Sequence, residues 1–159
     1  MGILCMALAV NAQQFGHITS EQLLQAMPEY DSAQAQLQEL RQQYDLEIER
    51  IQVEINKKIE EFNRAEATMS NLIREAKASE IQEMQVRLQN FAQTAQQDLQ
   101  QKRMEIFTPV QEKALNAVNE VAEENGFTYI FDTGMGALVY TSPDSQDILP
   151  LVKTKLGLP

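Results

Sequence analysis

The residues best suited to catalysis or metal binding are few and lie far apart in the sequence. His17 is the single histidine, and the sequence offers no partners for it in a metal site or a catalytic triad, so we expect a structural strand residue. Asp132 precedes Gly134 closely, which favours a turn over catalysis. The tripeptide at 134–136 (GMG) is too short for a nucleotide-binding fingerprint. The sequence therefore predicts no enzyme, no metal site and no cofactor.

The negative charge of the chain restricts the classes of partner that it can bind. The chain of 159 residues carries a formal net charge of −10, and acid pairs such as Glu60 with Glu61 and Glu123 with Glu124 are typical of solvated helix faces or helix ends. Duplex nucleic acid and anionic membrane surfaces repel such a chain. We expect no nucleic-acid partner and no stable membrane insertion.

Residues 1–12 resemble a secretory signal peptide with a truncated basic region. The apolar run at 3–10 is too short to span a bilayer, and residues 10–12 (VNA) fit a small-x-small cleavage site. Cleavage after Ala12 would leave a protein that starts at Gln13 and has no cysteine, because Cys5 is the single one. Such a protein would be exported without disulfides. The alternative interpretation is a frayed apolar N-terminus.

The middle of the chain is typical of a long amphipathic helix. Residues 31–69 contain neither Gly nor Pro, and apolar residues recur at steps of three and four. An eleven-residue repeat of this kind favours a nearly straight or slightly right-handed coil. The stripe needs a partner, since a helix of this length is not stable alone. Its residues are Leu37, Leu40, Tyr44, Ile48, Ile51, Ile55, Ile59 and Phe62.

A second stripe of similar length follows and supplies that partner. Its residues are Met84, Leu88, Phe91, Ala95, Leu99, Ile106 and Val110. Ser70 and Asn71 are weak turn formers between the stripes, so we predict an antiparallel helical hairpin over 31–108 with its tip near 66–76. One continuous helix is the alternative. Pro109 should kink the second helix.

The two ends of the chain, 13–30 and 109–159, are predicted to form a small β-containing body. Residues 15–19 favour a strand, followed by a short helix that Ser20 caps and Pro28 ends. After a helix stop at Gly126, residues 127–133 and 138–141 favour two strands of a β-hairpin. Asp147 then caps a final helix. The predicted fold class is α+β and mostly α, with a long antiparallel coiled-coil hairpin arm on a small β-sheet body.

Three stretches at the ends carry a family resemblance: FGHITSEQLLQAMPEY (15–30), NGFTYIFDTGMGALVYTS (125–142) and DSQDILPLVKTKL (144–156). With the order of elements, they resemble the Skp/OmpH family of periplasmic chaperones, in the branch found in Bacteroidetes-type bacteria. The resemblance implies a homotrimer whose strands build a body and whose helical arms surround a cavity. Unfolded outer-membrane β-barrel proteins would be held there in the periplasm without ATP.

Residues follow for each implied role. Trimerisation would bury Ile18, Phe127, Ile130, Phe131, Leu138 and Val139. Apolar residues that lie off the two stripes or at the tip are the client-binding candidates: Leu46, Val53, Val86, Met69, Leu72 and Ile73. For the tip residues, closing the hairpin core is the alternative role. Well-known family members are basic and this chain is acidic, so we do not carry over a lipopolysaccharide site.

Two other function classes stay open. A structural coiled-coil spacer or adaptor of the cell envelope would use the same helices without a client cavity, although it would not need the strand-rich ends. A cytosolic prefoldin-like chaperone also hangs helical arms from a β body, but the signal-like N-terminus argues against it.

Overall fold

A computed structural model of the protein describes residues 13–136 and 138–159. The predicted signal peptide, with Cys5, lies outside the described residues. The described chain forms two compact units. We call residues 13–30 together with 109–159 the body, and residues 31–108 the arm.

The arm is an antiparallel pair of long helices, as the two stripes predicted. Helix α2 spans Pro28–Ala65 and helix α3 spans Asn71–Glu124. Tyr44 Oη donates a hydrogen bond to Asp98 Oδ2 at 2.6 Å, and nearer the connection Lys58 Nζ lies 2.5 Å from Glu80 Oε1. Early residues of α2 therefore contact late residues of α3, which excludes one continuous helix.

The helices are interrupted by a short 3-10 turn, Glu66–Thr68. Met69 is extended, with ψ 143°, and breaks the helical path. Ser70 then opens α3, because its hydroxyl accepts a hydrogen bond from the backbone N–H of Ile73 at 3.4 Å, which satisfies one of the unpaired donors of the first turn. At its other end, α3 stops before Gly126, whose φ of +72° suits a residue without a side chain.

Three parallel strands form the sheet of the body, in the order β2-β1-β3. Strand β1 is Gln14–Ile18, β2 is Phe127–Asp132 and β3 is Gln146–Asp147. The predicted hairpin strand at 138–141 is wrong, since these residues are not a strand. The physical reason is that β3 pairs with β1 on the edge away from β2, so the chain must cross the sheet instead of turning back.

One prediction about a helix start also needs correction. Ser20 does not cap the first helix, α1 (Ser20–Gln25), whose N-cap is Thr19 without a side-chain bond. Asp132 instead satisfies a backbone donor at the start of this helix, because its Oδ1 accepts a hydrogen bond from Ser20 N at 3.3 Å. The first helix ends before Pro28 as predicted, and Pro28 begins α2, where its missing N–H costs nothing.

The last helix, α4, spans Leu149–Lys155. Its N-cap is Ile148, so Asp147 lies one residue before the predicted cap position. Asp147 still serves the first turn, because its Oδ1 accepts a hydrogen bond from Leu149 N at 2.9 Å. Helices α1 and α4 and the C-terminal part of α3 supply the core under the sheet. The most deeply buried side chains there are Ile18, Leu23, Met27, Ile148 and Val152.

Candidate functional site

The polar residues that could have formed a reactive centre are engaged in structural roles. His17 Nδ1 lies 2.9 Å from Ser145 Oγ. Asp132 Oδ1 accepts hydrogen bonds from Gly134 N at 2.9 Å and from Ser20 N. Burial works to raise the pKa of Asp132, but these hydrogen bonds outweigh it and lower the pKa below its usual value. Asp132 therefore holds a turn, as the sequence suggested.

Neither a metal cluster nor a membrane span is found in the described part of the chain. In residues 13–136 and 138–159, no three His, Cys, Asp or Glu side chains are grouped as a metal site. Of the helices described, none has the length and apolarity needed to cross a membrane. The surfaces that remain as candidates are apolar and exposed.

The outer face of the sheet carries an exposed aromatic cluster. Phe15 of β1 lies against Tyr129 and Phe131 of β2, with ring centroids 6.0 and 6.3 Å away. All three rings keep between 42% and 59% of their surface exposed. Side chains alternate between the faces of a strand, which puts this cluster opposite the core. An aromatic patch on an open sheet face marks an interaction surface.

A groove of about 800 Å³ lies beside β2 in the body. Its apolar lining comes from α3 through Leu115, Val118 and Ala122, from α1 through Leu24, and from Met135 after β2. Leu115 and Met135 are largely exposed. The groove therefore combines apolar side chains from three elements that are distant in the sequence.

The structure divides the residues predicted for trimerisation into two groups. Ile18 is already buried within the single chain, and Phe127 and Ile130 are partly buried. Their side chains approach Gly16 so closely that an added Cβ there would lie 2.9–3.0 Å from Ile130 and Phe127. Phe131 and Val139 are exposed, and Leu138 is partly so.

Sequence reasoning missed Phe15 and Tyr129 of the aromatic cluster. The signal was present, because Tyr129 stands two residues before Phe131 and so shares its face of the strand. Strand alternation would have grouped these two residues and separated them from Ile130.

The residues predicted for the arm core lie along the contact between α2 and α3, with unequal burial. Ile51 and Ile55 are buried, whereas the others are only partly buried. Tyr44 and Phe91 pack edge to face with ring centroids 6.1 Å apart. The partly buried residues are Leu37, Leu40, Tyr44, Ile48, Ile59, Phe62, Met84, Leu88, Phe91 and Leu99.

Five of the six client-binding candidates are among the most exposed apolar residues of the arm. Leu46, Val53 and Val86 keep 66%, 61% and 49% of their surface exposed. At the tip, Leu72 and Ile73 keep 78% and 51%, and Met69 is partly buried.

These candidates are not brought together in one patch. Val53 follows the buried Ile51 by two residues, which is about 200° around the helix. Leu46 lies seven residues before Val53 and so shares its face. Both residues therefore point away from α3. Val86 lies between Met84 and Leu88 and points away from α2. Met104, which sequence reasoning missed, is 66% exposed. It lies five helical turns after Val86 in α3 and therefore on the same face.

Ion pairs near the tip balance its charges. Glu80 accepts hydrogen bonds from Lys58 Nζ at 2.5 Å and Lys77 Nζ at 3.2 Å. The bond from Lys58 is the main cause that lowers the pKa of Glu80, with Lys77 second, and the same bond raises the pKa of Lys58. Both groups are solvated, so the pair aligns the helices more than it stabilises them.

A family model described as outer membrane protein (OmpH-like) matches residues 14–156. The chain belongs to the OmpH-like family. The match runs from β1 to the end of α4 and includes both arm helices. It confirms the family resemblance read from the three end stretches.

A solved structure agrees with the fold of this OmpH-like chain. It is the crystal structure of a protein from Caulobacter crescentus CB15 described as a "putative outer membrane chaperone (OmpH-like)". The TM-score is 0.80 with 16% identity, and the alignment covers 98% of this chain and 88% of that one. At this identity the likeness concerns the fold. Among curated proteins, none matches the sequence significantly.

Proposed function

We propose that this OmpH-like chain is an ATP-independent periplasmic holdase chaperone. Three copies assemble through their bodies, and unfolded outer-membrane β-barrel proteins bind in a cavity between the helical arms, which prevents their aggregation. The chaperone is not an enzyme and uses no cofactor. The observation that carries the proposal is the set of exposed apolar side chains on the faces of the arm helices that point away from the hairpin core.

These side chains suit a holdase because each one offers little binding energy. Covering part of a Leu or Val side chain contributes about 1 kcal/mol, and the candidates are spread over both helices and the tip. A client held by many such contacts exchanges them one at a time and stays unfolded but soluble. The client-binding residues that we propose are Leu46, Val53, Val86, Met69, Leu72 and Ile73.

The body suits assembly for a different reason. A sheet of three short strands with an exposed aromatic face is marginal alone, and association would cover its edges and that face. Residues proposed to be buried on trimerisation are Phe127, Ile130, Phe131, Leu138 and Val139, to which the aromatic cluster adds Phe15 and Tyr129. Ile18, also predicted for this role, is already buried in the single chain.

Family and sequence support the cellular setting. The chain belongs to the OmpH-like family, the Caulobacter protein with the same fold carries a chaperone description, and residues 1–12 predict export. The net charge of −10 distinguishes this chain from basic family members. Electrostatic attraction of clients would therefore need basic segments in them, and lipopolysaccharide binding is not part of the proposal.

Light scattering tests the holdase directly. A urea-unfolded outer-membrane β-barrel protein is diluted into buffer with and without the purified protein, and an unfolded cytosolic protein of matched size serves as the control client. We expect scattering to be suppressed without ATP near three chains per β-barrel client. Absence of suppression at large excess would contradict the proposal and favour a structural spacer.

A further inference from the structure

We propose that an uncharged, amide-rich face of α3 binds the main chain of extended client segments through hydrogen bonds. The inference rests on the proposed function and deepens it, because it names the part of an unfolded client that the arm recognises. We call this face the amide strip. It consists of Val86, Gln89, Asn90, Gln93, Gln97, Gln100, Gln101, Met104 and Thr108.

The amide strip follows from the helical periodicity of α3. Its members recur one turn apart, singly or in adjacent pairs, and all lie within about 60° of the line that joins Val86 to Met104. All of them are exposed. Ala95 lies on the opposite side of the helix and is buried, as expected for the face that packs against α2. The strip therefore points away from the hairpin core.

Charge distinguishes the strip from the rest of the arm. Residues 88–97 contain no charged side chain, in a chain of which 23% of the residues are charged. On the outer face of α2, by contrast, acidic and basic side chains such as Glu49 and Lys57 stand among the exposed apolar ones. The charged residues of α3 near the strip all lie about 100° or more around the helix from Val86 and Met104. They are Arg87, Asp98, Lys102, Arg103 and Glu105.

Most amides of the strip are available to a partner. Gln101 Nε2 donates a hydrogen bond to Glu105 Oε1 at 2.8 Å. Within the described residues, no other amide of the strip forms a side-chain hydrogen bond. Gln89, Gln93, Gln97 and Gln100 therefore present their donors and acceptors to solvent along one line of the helix.

A side-chain amide is chemically suited to the main chain of a client. Its NH2 group donates and its carbonyl oxygen accepts, and an extended backbone offers one N–H and one C=O per residue. A carboxylate could only accept, and an ammonium group could only donate. Moving an uncharged amide out of water also costs less than moving a charge. Recognition by the strip thus depends on unpaired backbone groups and not on the charge of the client.

The length of the strip fits one strand of a β-barrel protein. From Val86 to Thr108 the helix rises about 33 Å, which equals about ten residues of extended chain. A transmembrane β-strand has about 9–11 residues. Val86 and Met104 add apolar contacts to the apolar side chains of such a strand, since 49% and 66% of their surfaces are exposed.

This mode of recognition also provides for release without ATP. A client strand that pairs with its neighbours in a closed barrel satisfies its own N–H and C=O groups. The strip then has no free backbone to bind. It therefore distinguishes unfolded from folded client by backbone pairing.

Binding of two matched peptides to two variants of the full chain tests the inference. The probe is a fluorescently labelled, uncharged peptide of about ten residues with the alternating pattern of a barrel strand. Its matched depsipeptide has esters in place of alternate amides, which removes N–H donors without adding bulk. The strip variant carries Gln89→Ala, Gln93→Ala, Gln97→Ala and Gln100→Ala.

The control variant makes the same change on α2, where charged residues are close by. It carries Gln34→Ala, Gln38→Ala, Gln42→Ala and Gln43→Ala. All eight glutamines are exposed, and Ala is the best helix former, so the helical circular dichroism should not fall in either variant.

We expect wild type to bind the peptide at least tenfold more tightly than the depsipeptide, because several donors are lost together. The strip variant should bind the peptide at least tenfold more weakly than wild type and should distinguish the two probes less than twofold. The control variant should behave as wild type does. Versions of the peptide with two added Lys or two added Glu should bind wild type within about threefold of each other in 0.15 M salt.

Several results would overturn the inference while leaving the holdase in place. They are equal binding of peptide and depsipeptide by a wild-type protein that suppresses scattering, binding of neither probe by such a protein, equal losses in the strip and control variants, and a tenfold preference for the Lys version. A lower solution mass of the strip variant would show instead that the strip packs against a second copy. A wild-type protein that neither binds the probes nor suppresses scattering would reject both the inference and the proposed function.

Discussion

The body and the arm differ in how their apolar side chains are buried. In the body, Leu23, Ile148 and Val152 keep at most 1% of their surface exposed, and elements from both ends of the chain enclose them. In the arm, only Ile51 and Ile55 among the predicted large core residues are fully buried, and the remaining stripe stays partly open to solvent.

The difference follows from geometry. A core enclosed by a sheet and helices surrounds its side chains, whereas two helices cover each other along one line only. The arm therefore depends more on polar contacts between its helices, such as Tyr44 with Asp98 and Lys58 with Glu80. The same chain thus combines a well-packed body with a thin arm whose apolar side chains stay largely accessible to solvent.

The largest expected effect comes from the same substitution in the two units. Leu23→Ala should lower the free energy of unfolding of the body by about 3 kcal/mol, because it empties a fully enclosed site. Leu40→Ala, at a partly buried arm position, should cost about 1 kcal/mol. Amide exchange over β1 and over the arm helices reports each loss separately. Equal losses at the two positions would contradict the difference in side-chain burial between the body and the arm.

Gly16→Ala should be the next in size. The new Cβ would lie 2.9 Å from Ile130 Cδ1 and 3.0 Å from Ile148 and Phe127 atoms, and overpacking of this kind costs about 1–3 kcal/mol. Ile130→Val removes the nearest atom, so the double variant should recover part of the loss in a urea titration. If Gly16→Ala leaves the free energy of unfolding unchanged, the body is packed less tightly around Gly16 than described.

Tyr44→Phe tests the polar contact that aligns the arm. Loss of the hydrogen bond to Asp98 should cost about 1 kcal/mol. That bond raises the pKa of Tyr44 above 10.0. The neutral hydroxyl is thus favoured in the folded state, and its contribution is present below pH 10 and lost as the pH rises through the raised pKa.

Thermal unfolding from pH 8 to 11 measures this dependence. The difference between wild type and Tyr44→Phe should shrink as the pH rises above 10. If the stability difference between wild type and Tyr44→Phe stays constant over this range, ionisation of the Tyr44 hydroxyl does not affect stability.

The smallest effect should come from Glu80→Gln near the tip. The lowered pKa of Glu80 means that its ion pairs stabilise above the ordinary carboxylate pKa, and that this contribution is lost as the pH falls through the lowered value. Because both groups are solvated, we expect a Tm decrease of about 1–2 °C in low salt, and less in 0.5 M salt. Glu75→Gln is the control; an equal decrease there would remove any special role for the pair.

The long helices and the first two strands could be predicted because their patterns are local. Steps of three and four mark α2 and α3, and the β-branched and aromatic run marks β2. Strand β3 could not be predicted, since Gln146 and Asp147 have no strand character and pair only because the chain crosses to the far edge of β1. Residues 138–141 have strand character and form no strand, for the same topological reason.

The candidate surfaces were predictable in part. Leu46, Val53 and Val86 stand off the helical stripes, and the structure places them on the exposed faces. The groove beside β2 could not be predicted, because Leu24, Leu115 and Met135 come from distant segments that only the fold brings together.

The proposed client binding by the arm is tested by the affinity of a polar variant of the arm for an unfolded β-barrel protein. The variant replaces Leu46, Val53, Val86, Leu72 and Ile73 by Gln, which keeps the helices and the net charge. Its solution mass is measured together with its affinity for fluorescently labelled client. We expect unchanged mass and at least tenfold weaker client binding. Unchanged affinity at unchanged mass would contradict the assignment of client binding to the arm.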